Sequence, residues 1–148
     1  MTHTTSEYIE SAFPMLMATA WKQLRESLNK KFTGAGYGVT SEQWGIMVHL
    51  LVKDGISQQT LADRYDRSKV AAFKLIEKLE KNHFVTRRSD PDDGRCKLVF
   101  LTQKGRTILT ELLDLSVQNL EAISQGITEE DLAIFKKVLK RIILNTRP

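Results

Sequence analysis

The chain has 148 residues, of which 41% are hydrophobic and 27% are charged, with eight Gly, three Pro and one Cys. This length and composition predict one globular domain and exclude a disordered or fibrous chain. The longest stretch without a charged residue, Ser11 to Trp21, is too short to cross a bilayer, and residues 1–7 lack the basic start of a secretory signal. We therefore expect a cytoplasmic protein without membrane association.

The net charge of +4 is small, but it is distributed unevenly along the sequence. Residues 61–100 carry ten Lys or Arg against seven Asp or Glu, whereas the segments before and after them are nearly balanced. An excess of positive charge in the middle of the chain favours an anionic partner such as nucleic acid.

Apolar residues at three- and four-residue steps predict two helices in the first third of the chain. The first helix spans about Tyr8 to Asn29. It either begins near Pro14 or is kinked there, because a proline inside a helix removes a backbone donor. The second helix begins after Thr40, which forms a capping-box pattern with Gln43, and it ends near Gly55.

Two shorter helices follow, joined by a polar turn. The third runs from Ser57 to about Arg64 and the fourth from about Ser68 to Asn82. On a helical wheel, one side of the fourth helix is apolar and should face the core. The residues on that side are Ala72, Leu75, Ile76 and Leu79. The opposite side should face solvent and carries Val70, Lys74, Glu77 and Lys81.

A β-hairpin and two long helices complete the chain. Residues 84–88 and 97–101 have the composition of strands, and the segment 89–96 between them is rich in turn residues. A fifth helix is expected from Thr102 to about Ser124, and a sixth begins at Thr128. Their apolar stripes exceed what one small core can cover, so something outside that core must bury them.

A short helix, a turn, a second helix and a hairpin together make a winged helix-turn-helix. The segments with the most distinctive patterns are Ser57–Asp63, Leu75–Lys81, Arg87–Arg88, Asp90–Arg95 and Leu101–Gly105. In order and spacing these segments resemble the MarR family of bacterial transcription regulators. The likeness extends from about Tyr8 to Asn145, and its most specific part is the hairpin, with Asp-Pro, a second Asp, an Arg and then Leu-Thr-x-Lys-Gly.

The resemblance implies a mainly α-helical fold with a small β-hairpin wing, in a single domain over residues 1–148. Within it, residues 40–101 would form the DNA-binding winged helix-turn-helix, and residues 6–32 and 102–145 would form helical dimerisation elements. The protein would then act as a homodimeric, ligand-responsive repressor that binds double-stranded DNA at a palindromic operator. Its two recognition helices would lie about one DNA turn apart.

On this reading the fourth helix enters the major groove. Lys74 can donate to guanine, and Val70 can contact a thymine methyl group. Ser68 and Lys69 at the helix start, with Arg67 before it, can bind phosphate through a hydroxyl group, positive charge and free backbone amides.

The wing carries the remaining candidates for DNA contact. Arg95 matches the family arginine that enters the minor groove, where narrow A·T tracts concentrate negative potential. Asp93 would orient Arg95 by a charge-assisted hydrogen bond. Arg88 and Lys97 are either DNA contacts or ordinary surface charges of the hairpin.

Two positions depart from the pattern of the family. Gly94 replaces a basic residue that is common there, so the tip of the wing is less cationic. His83 stands where the family commonly has a glycine that ends the helix. Asn82 or His83 must therefore take up any left-handed turn at that point.

Many relatives have a small-molecule pocket between the dimerisation and DNA-binding parts. The residues that could line such a pocket here are Phe13, Met17, Trp21, Trp44 and Met47. Their ligand would be an aromatic or phenolic effector. The alternative role for these large side chains is core packing.

Other classes of function have less support in the sequence. No catalytic Ser/His/Asp or Cys/His grouping, phosphate-binding glycine loop or metal-ligand spacing is visible, so we expect no enzyme activity, metal or cofactor. Cys96 has basic neighbours that favour thiol reactivity, but the redox-sensing cysteines of the family lie near the first helix instead. The main alternative is a winged-helix module that contacts a protein and no DNA.

Overall fold

The computed structural model describes residue 5 and residues 12–64 and 68–146. Helices occupy most of this range, and three antiparallel strands form a small sheet in the order β1-β3-β2. In chain order the elements are α1 (Phe13–Gly34), α2 (Ser41–Val52), β1 (Ile56–Ser57), α3 (Gln58–Arg64), α4 (Lys69–Lys81), β2 (Val85–Ser89), β3 (Lys97–Leu101), α5 (Gln103–Ile123) and α6 (Glu129–Asn145). The predicted fold class, mainly helical with a β-hairpin wing, is confirmed. Within the described ranges, no helix is both long and apolar enough to span a membrane.

Helix α1 begins at Phe13, and Pro14 lies in its first turn. Proline is tolerated there because the first backbone N–H groups of a helix have no partner within the helix. Of the two interpretations of Pro14, the helix start is therefore confirmed. The earlier part of the predicted helix, residues 8–11, lies outside the described residues.

Side-chain caps start the next three helices where the sequence predicted them. At α2, Thr40 Oγ1 accepts from the Gln43 N–H (3.2 Å), and Gln43 Oε1 accepts from the Thr40 N–H (2.9 Å). At α3, Ser57 Oγ accepts from the Thr60 N–H (3.1 Å). Ser68 caps α4 in the same way. Each cap satisfies a backbone donor that the helix itself leaves unpaired, so these boundaries are set by local sequence.

The core lies where α1, α2, α4, α5 and the sheet meet. Its fully buried side chains include Phe32, Ile46, Leu50, Ile76, Leu79, Val99, Leu109 and Leu112. The predicted inward side of α4 is confirmed, since three of its four residues are fully buried and Leu75 packs partly buried against them. The predicted outward side of α4 is exposed, so the helix presents that side to solvent.

Strand β1 is the element that the sequence pattern did not predict. Its two residues are too few to show the alternation that identifies a strand. Ile56 lies opposite Val99 of β3 in the antiparallel ladder. Gly55 turns the chain into the strand at a φ of 70°, and its missing Cβ leaves room for the ring of Phe100.

Helix α6 contributes nothing to the core, because none of its residues is buried. Its Phe135 is 54% exposed, and Trp21 on α1 is 62% exposed. Helices of this length are only marginally stable in water without packing partners. The apolar stripe that the sequence predicted on the sixth helix is therefore uncovered in a single copy. The stripe predicted on the fifth helix is partly buried, with Leu109 and Leu112 in the core and Leu120 exposed.

The C-terminal turn of α4 is made by His83, whose φ is 61°. The His83 N–H donates to the Glu80 carbonyl (2.9 Å), and the Phe84 N–H donates to the Leu79 carbonyl (2.9 Å). This pair of bonds defines a Schellman motif. Of the two residues expected to take up a left-handed turn, it is His83 and not Asn82 that does so.

We expect His83→Gly to raise the free energy of unfolding by about 1 kcal/mol, because glycine adopts a positive φ without the steric cost of a Cβ. The His83 side chain is exposed and its hydrogen bonds come from the backbone, so the substitution removes no packing. Urea denaturation followed by circular dichroism measures the change. Asn82→Gly is the control. Because Asn82 has a φ of −82°, glycine relieves no steric strain there, and this variant should be less stable than wild type. A His83→Gly variant no more stable than wild type would contradict the explanation.

Candidate nucleic-acid interface

The exposed side of α4 carries the two predicted base-reading residues. Val70 is 63% exposed, and Lys74 is exposed one turn further along the helix. Residues four apart lie above one another on a helix, so these two side chains form a continuous surface. Ala71 and Phe73 flank this surface and are partly buried. The surface offers a charged donor for a base edge and an apolar contact for a methyl group.

The N-terminus of α4 adjoins this surface. Ser68 and Lys69 are exposed there, and Ser68 Oγ accepts from the Ala71 N–H (3.2 Å). That bond uses the oxygen and leaves the hydroxyl proton available to donate. The first-turn amides and the Lys69 ammonium group complete a surface suited to phosphate. Arg67, the third predicted phosphate contact, lies outside the described residues.

Side chains of the wing alternate between its two faces. In the ladder of β2 and β3, Arg88 lies opposite Leu98 and Ser89 lies opposite Lys97. The Arg88 guanidinium is 5.0 Å from the centre of the Phe100 ring. Lys97 lies on the other face, where its Nζ donates to Ser89 Oγ (2.7 Å). The two predicted cations of the wing strands therefore project to opposite sides of the hairpin.

Arg95 is exposed at the tip of the wing. The Asp93 carboxylate accepts from the Arg95 backbone N–H (3.1 Å), and the Asp93 carbonyl accepts from the Cys96 N–H (2.8 Å). The predicted bond from Asp93 to the Arg95 guanidinium is wrong, because the short Asp93 side chain turns back to the amide two residues further on. Asp93 supports the backbone of the tip, and the Arg95 guanidinium has no partner among the described residues.

Arg87 was not predicted as a functional residue. Its Nε donates to Glu80 Oε2 (2.9 Å) and its Nη1 to Gln58 Oε1 (3.1 Å), while its backbone N–H donates to Glu80 Oε1 (3.2 Å). The side-chain bonds from Arg87 hold the pKa of the Glu80 carboxyl below its ordinary value. Because Gln58 belongs to α3 and Glu80 to α4, one side chain joins the wing to both helices of the helix-turn-helix. The signal available in the sequence was strand alternation, which places Arg87 on the same face as buried Val85.

The base of the wing is joined to α5. Asp54 Oδ1 accepts from the Leu101 N–H (2.9 Å), and its other carboxylate oxygen forms an ion pair with Arg106. Thr102 Oγ1 donates to the His83 carbonyl (2.6 Å). These contacts fix the wing and the end of α4 relative to a helix that continues toward the terminal part of the chain.

A cavity of about 700 Å³ opens between α1, α2 and α5. Its walls are mainly apolar, with polar groups among them. It is lined by Trp21, Leu24, Arg25, Leu28, Ser41, Glu42, Trp44, Gly45, Val48, His49, Arg64, Ser116, Asn119, Leu120 and Ile123. Two buried nitrogen atoms of this lining, Arg25 Nε and Trp44 Nε1, have no hydrogen-bond partner within the described residues. Buried donors without a partner are costly.

The five predicted pocket residues lie in different places in the structure. Trp21 and Trp44 line the cavity. Met47 was assigned wrongly, because it lies on the inward side of α2 and is fully buried in the core. Phe13 and Met17 are exposed on the first turns of α1 and do not line this cavity. The other lining residues were missed because the cavity exists only once α5 packs against α1 and α2.

The described residues provide no metal site. No three His, Cys, Asp or Glu side chains among them are grouped so that they could hold an ion. Cys96 is partly exposed just before β3, and the expectation that it is not a redox sensor stays a prediction.

An exposed helix surface, an exposed helix N-terminus and a wing with the exposed cations Arg88, Arg95 and Lys97 are the features of a winged helix-turn-helix DNA-binding protein. Residues 39–97 match the model of the MarR family. The transcriptional repressor MprA of Escherichia coli K12 is 26% identical over 144 residues, which cover 95% of this chain and 82% of MprA. The matched segment, residues 39–97, therefore has a MarR-type sequence, and the chain is a DNA-binding transcriptional regulator.

Solved structures share the fold. A MarR-family regulator from Rhodococcus sp. RHA1 has a TM-score of 0.83 at 19% identity, covering 99% of this chain and 100% of that one. PcaV of Streptomyces coelicolor, solved in complex with its natural ligand, has a TM-score of 0.78 at 18% identity, again covering 99% and 100%. The likeness therefore extends over the terminal helices as well as the DNA-binding part.

Proposed function

We propose that the protein is a homodimeric repressor that binds a palindromic operator in the cytoplasm, and that a small aromatic or phenolic effector lowers its affinity for that operator. Residues 40–101 form the DNA-binding part, and residues 6–32 and 102–145 form the dimerisation part. The observation that carries the dimer, and with it the palindromic operator, is that α6 buries none of its residues in a single chain. A second copy of the chain is the partner that covers it.

The terminal helices present the apolar surface that such a dimer needs. Their exposed large side chains include Phe13, Leu16 and Trp21 on α1 and Ile134, Phe135, Val138, Ile143 and Leu144 on α6. Full burial of a side chain of this kind contributes roughly 1.5–3 kcal/mol. A two-fold axis buries the same patch from both copies at once. It also allows the two α4 helices to lie about one DNA turn, roughly 34–36 Å, apart.

Each copy would contact one half-site of the operator. Lys74 donates to guanine and Val70 contacts a thymine methyl group in the major groove. Arg95 enters the minor groove, on a tip whose backbone Asp93 supports. The phosphate contacts are Arg67, Ser68 and Lys69 beside α4 and Arg88 and Lys97 on the wing.

The test begins with DNA fragments that the purified protein selects from a genomic or random library. We expect palindromic sites whose half-sites are about one helical turn apart. If the dimer neutralises about eight phosphates, log affinity should fall with log salt concentration at a slope near −7. A flat salt response, or equal affinity for every duplex, would contradict the proposal.

The effector site that we propose is the cavity between α1, α2 and α5. Its tryptophan rings suit an aromatic ligand, and the buried Arg25 Nε and Trp44 Nε1 suit an oxygen acceptor on that ligand. PcaV supports this proposal as a protein of the same fold solved in complex with its natural ligand. Arg64, at the end of α3, also lines the cavity, so an occupant touches both the terminal and the DNA-binding parts. A ligand lowers DNA affinity if it binds more tightly to a dimer conformation in which the distance between the two DNA-binding parts does not match the spacing of the half-sites.

Benzoate and phenol are the probes for this site, measured by titration calorimetry. Trp44→Phe keeps an aromatic ring but removes the Nε1 donor, and we expect it to weaken binding of the probe about fivefold to tenfold, the value of one neutral hydrogen bond. Tyr37→Phe is the control, since it also removes a donor from an aromatic ring but Tyr37 does not line the cavity, and it should change the affinity less than twofold. Absence of binding of both probes, or equal affinity in Trp44→Phe and wild type, would count against this effector site.

A further inference from the structure

We infer that Arg87 is a positioning residue for DNA binding, which holds the wing against α4 so that Lys74 and Arg95 engage one half-site together. This inference rests on the proposed function, because it concerns how the two DNA-contacting surfaces are kept in register. Arg87 itself touches neither the bases nor the minor groove in this account. It acts through the placement of Arg95.

The contacts of Arg87 span three elements of the DNA-binding part. Its guanidinium bonds to the Glu80 carboxylate through Nε and Nη2 and to the Gln58 side chain through Nη1, and its backbone N–H also bonds to Glu80. The side chains of Arg87 and Glu80 are 29% and 34% exposed, so the pair is partly shielded from solvent. A forked guanidinium fixes direction as well as distance, which a single-point contact cannot do.

Along strand β2, Arg87 is the last residue before the tip whose side chain bonds to the described part of the helix-turn-helix. Burial falls along β2, with Val85 buried, Arg87 partly buried and the two residues after it exposed. The same gradient runs along β3, from buried Val99 to exposed Lys97. On the other strand, β3 pairs with β1 as far as Leu98, one residue nearer the tip than Val99 opposite Arg87. On the β2 side, the direction of the tip relative to α4 is therefore set where Arg87 meets Glu80.

The fold depends less on this contact than DNA binding does. Partly exposed ion pairs stabilise a fold only weakly, and the base of the wing is already held by core residues. A contact to a base edge, however, requires placement within about half an ångström. A wing that is free to swing must also be ordered when DNA binds, which lowers affinity. Loss of the Arg87 contact should therefore appear in operator affinity more than in stability.

The direction in which one substitution changes DNA affinity distinguishes this positioning role from a simple effect of charge. Glu80→Gln removes a negative charge from the DNA-binding part, and charge alone predicts tighter binding to DNA. Positioning predicts the opposite, a loss of about tenfold in affinity for the selected operator, with the melting temperature nearly unchanged. Glu77→Gln is the matched control, because it makes the same charge change on exposed α4 surface without a hydrogen bond to Arg87 among the described residues. It should bind the operator as tightly as wild type or more tightly.

A second measurement shows whether the effect passes through Arg95. In an Arg95→Ala background, Glu80→Gln should lower operator affinity twofold or less. In a Lys74→Ala background, it should still lower operator affinity about tenfold. If circular dichroism shows Glu80→Gln to be unfolded at the assay temperature, Arg87→Lys replaces it, since it keeps the charge and loses the fork. Unchanged or tighter binding, or an equal loss with and without Arg95, overturns the inference. The proposed function fails separately, if wild type and Glu77→Gln both show no selectivity for the duplex.

Discussion

Gly105→Ala should destabilise the protein by about 3 kcal/mol, the upper part of the range for forcing extra atoms into a packed site. A Cβ on Gly105 would lie 2.0 Å from the carbonyl oxygen of Phe84 and 2.9 Å from the carbonyl carbon. These are backbone atoms, and the Thr102 N–H donates to that same oxygen (3.1 Å), so they cannot rotate away. For a chain of this length, a loss of about 3 kcal/mol lowers the melting temperature by roughly 6–12 °C.

Thermal denaturation followed by circular dichroism measures this effect. Gly38→Ala is the control, since nothing lies within 4 Å of a Cβ at that position, and its stability should change by no more than about 0.5 kcal/mol. A Gly105→Ala protein that melts within about 2 °C of wild type, well under the expected shift, would refute the close-approach argument.

Gly105 also explains the pattern that ends the wing motif. Thr102 caps α5, and Lys104 Nζ donates to the Asn82 carbonyl (3.0 Å). Together with the close approach at Gly105, these contacts seat the first turn of α5 on the chain that leaves α4. The motif therefore attaches the DNA-binding part to the first turn of α5.

The second large effect is expected for substitutions on the DNA-binding surface of the protein. Lys74→Ala should weaken operator affinity by about 1–3 kcal/mol and relax the preference at one base pair, because the bidentate donor to guanine is lost. Arg95→Ala should weaken binding most for operators with A·T tracts beside the half-site, where the minor groove is narrow. Fluorescence anisotropy with the selected operator and single-base variants measures both.

The control for lost charge is Lys30→Ala on α1, an exposed lysine outside the helix-turn-helix and wing, which should change the affinity less than twofold. If neither Lys74→Ala nor Arg95→Ala altered operator affinity, the winged-helix module that contacts a protein would be the better account.

The local elements could be predicted from the sequence because local signals determine them. Thr40, Ser57, Ser68 and Thr102 each cap a helix at the predicted place. The apolar period of α4 also identified which side faces the core. The left-handed turn was predicted to within one residue, at His83 or its neighbour, because a missing glycine forces another residue into it.

What the sequence could not supply depends on contacts between distant segments. Glu80 and Arg87 meet only after the hairpin folds back on α4. The cavity needs α5, which begins some fifty residues after α2 ends, and Met47 was misplaced because helical spacing alone does not say which neighbour a residue faces. Asp93 was correctly placed near Arg95, but side-chain length decided that it bonds to the amide instead of the guanidinium.

The central claim is that two copies of this chain join through their terminal helices and bind one duplex together. Light scattering coupled to gel filtration, at micromolar concentration and with and without the selected operator, tests it most directly. With a chain mass of 16.9 kDa, we expect a species of about 34 kDa in the absence of DNA and two chains per duplex in the complex. A mass of one chain in the absence of DNA, and one chain per duplex in its presence, would contradict the account.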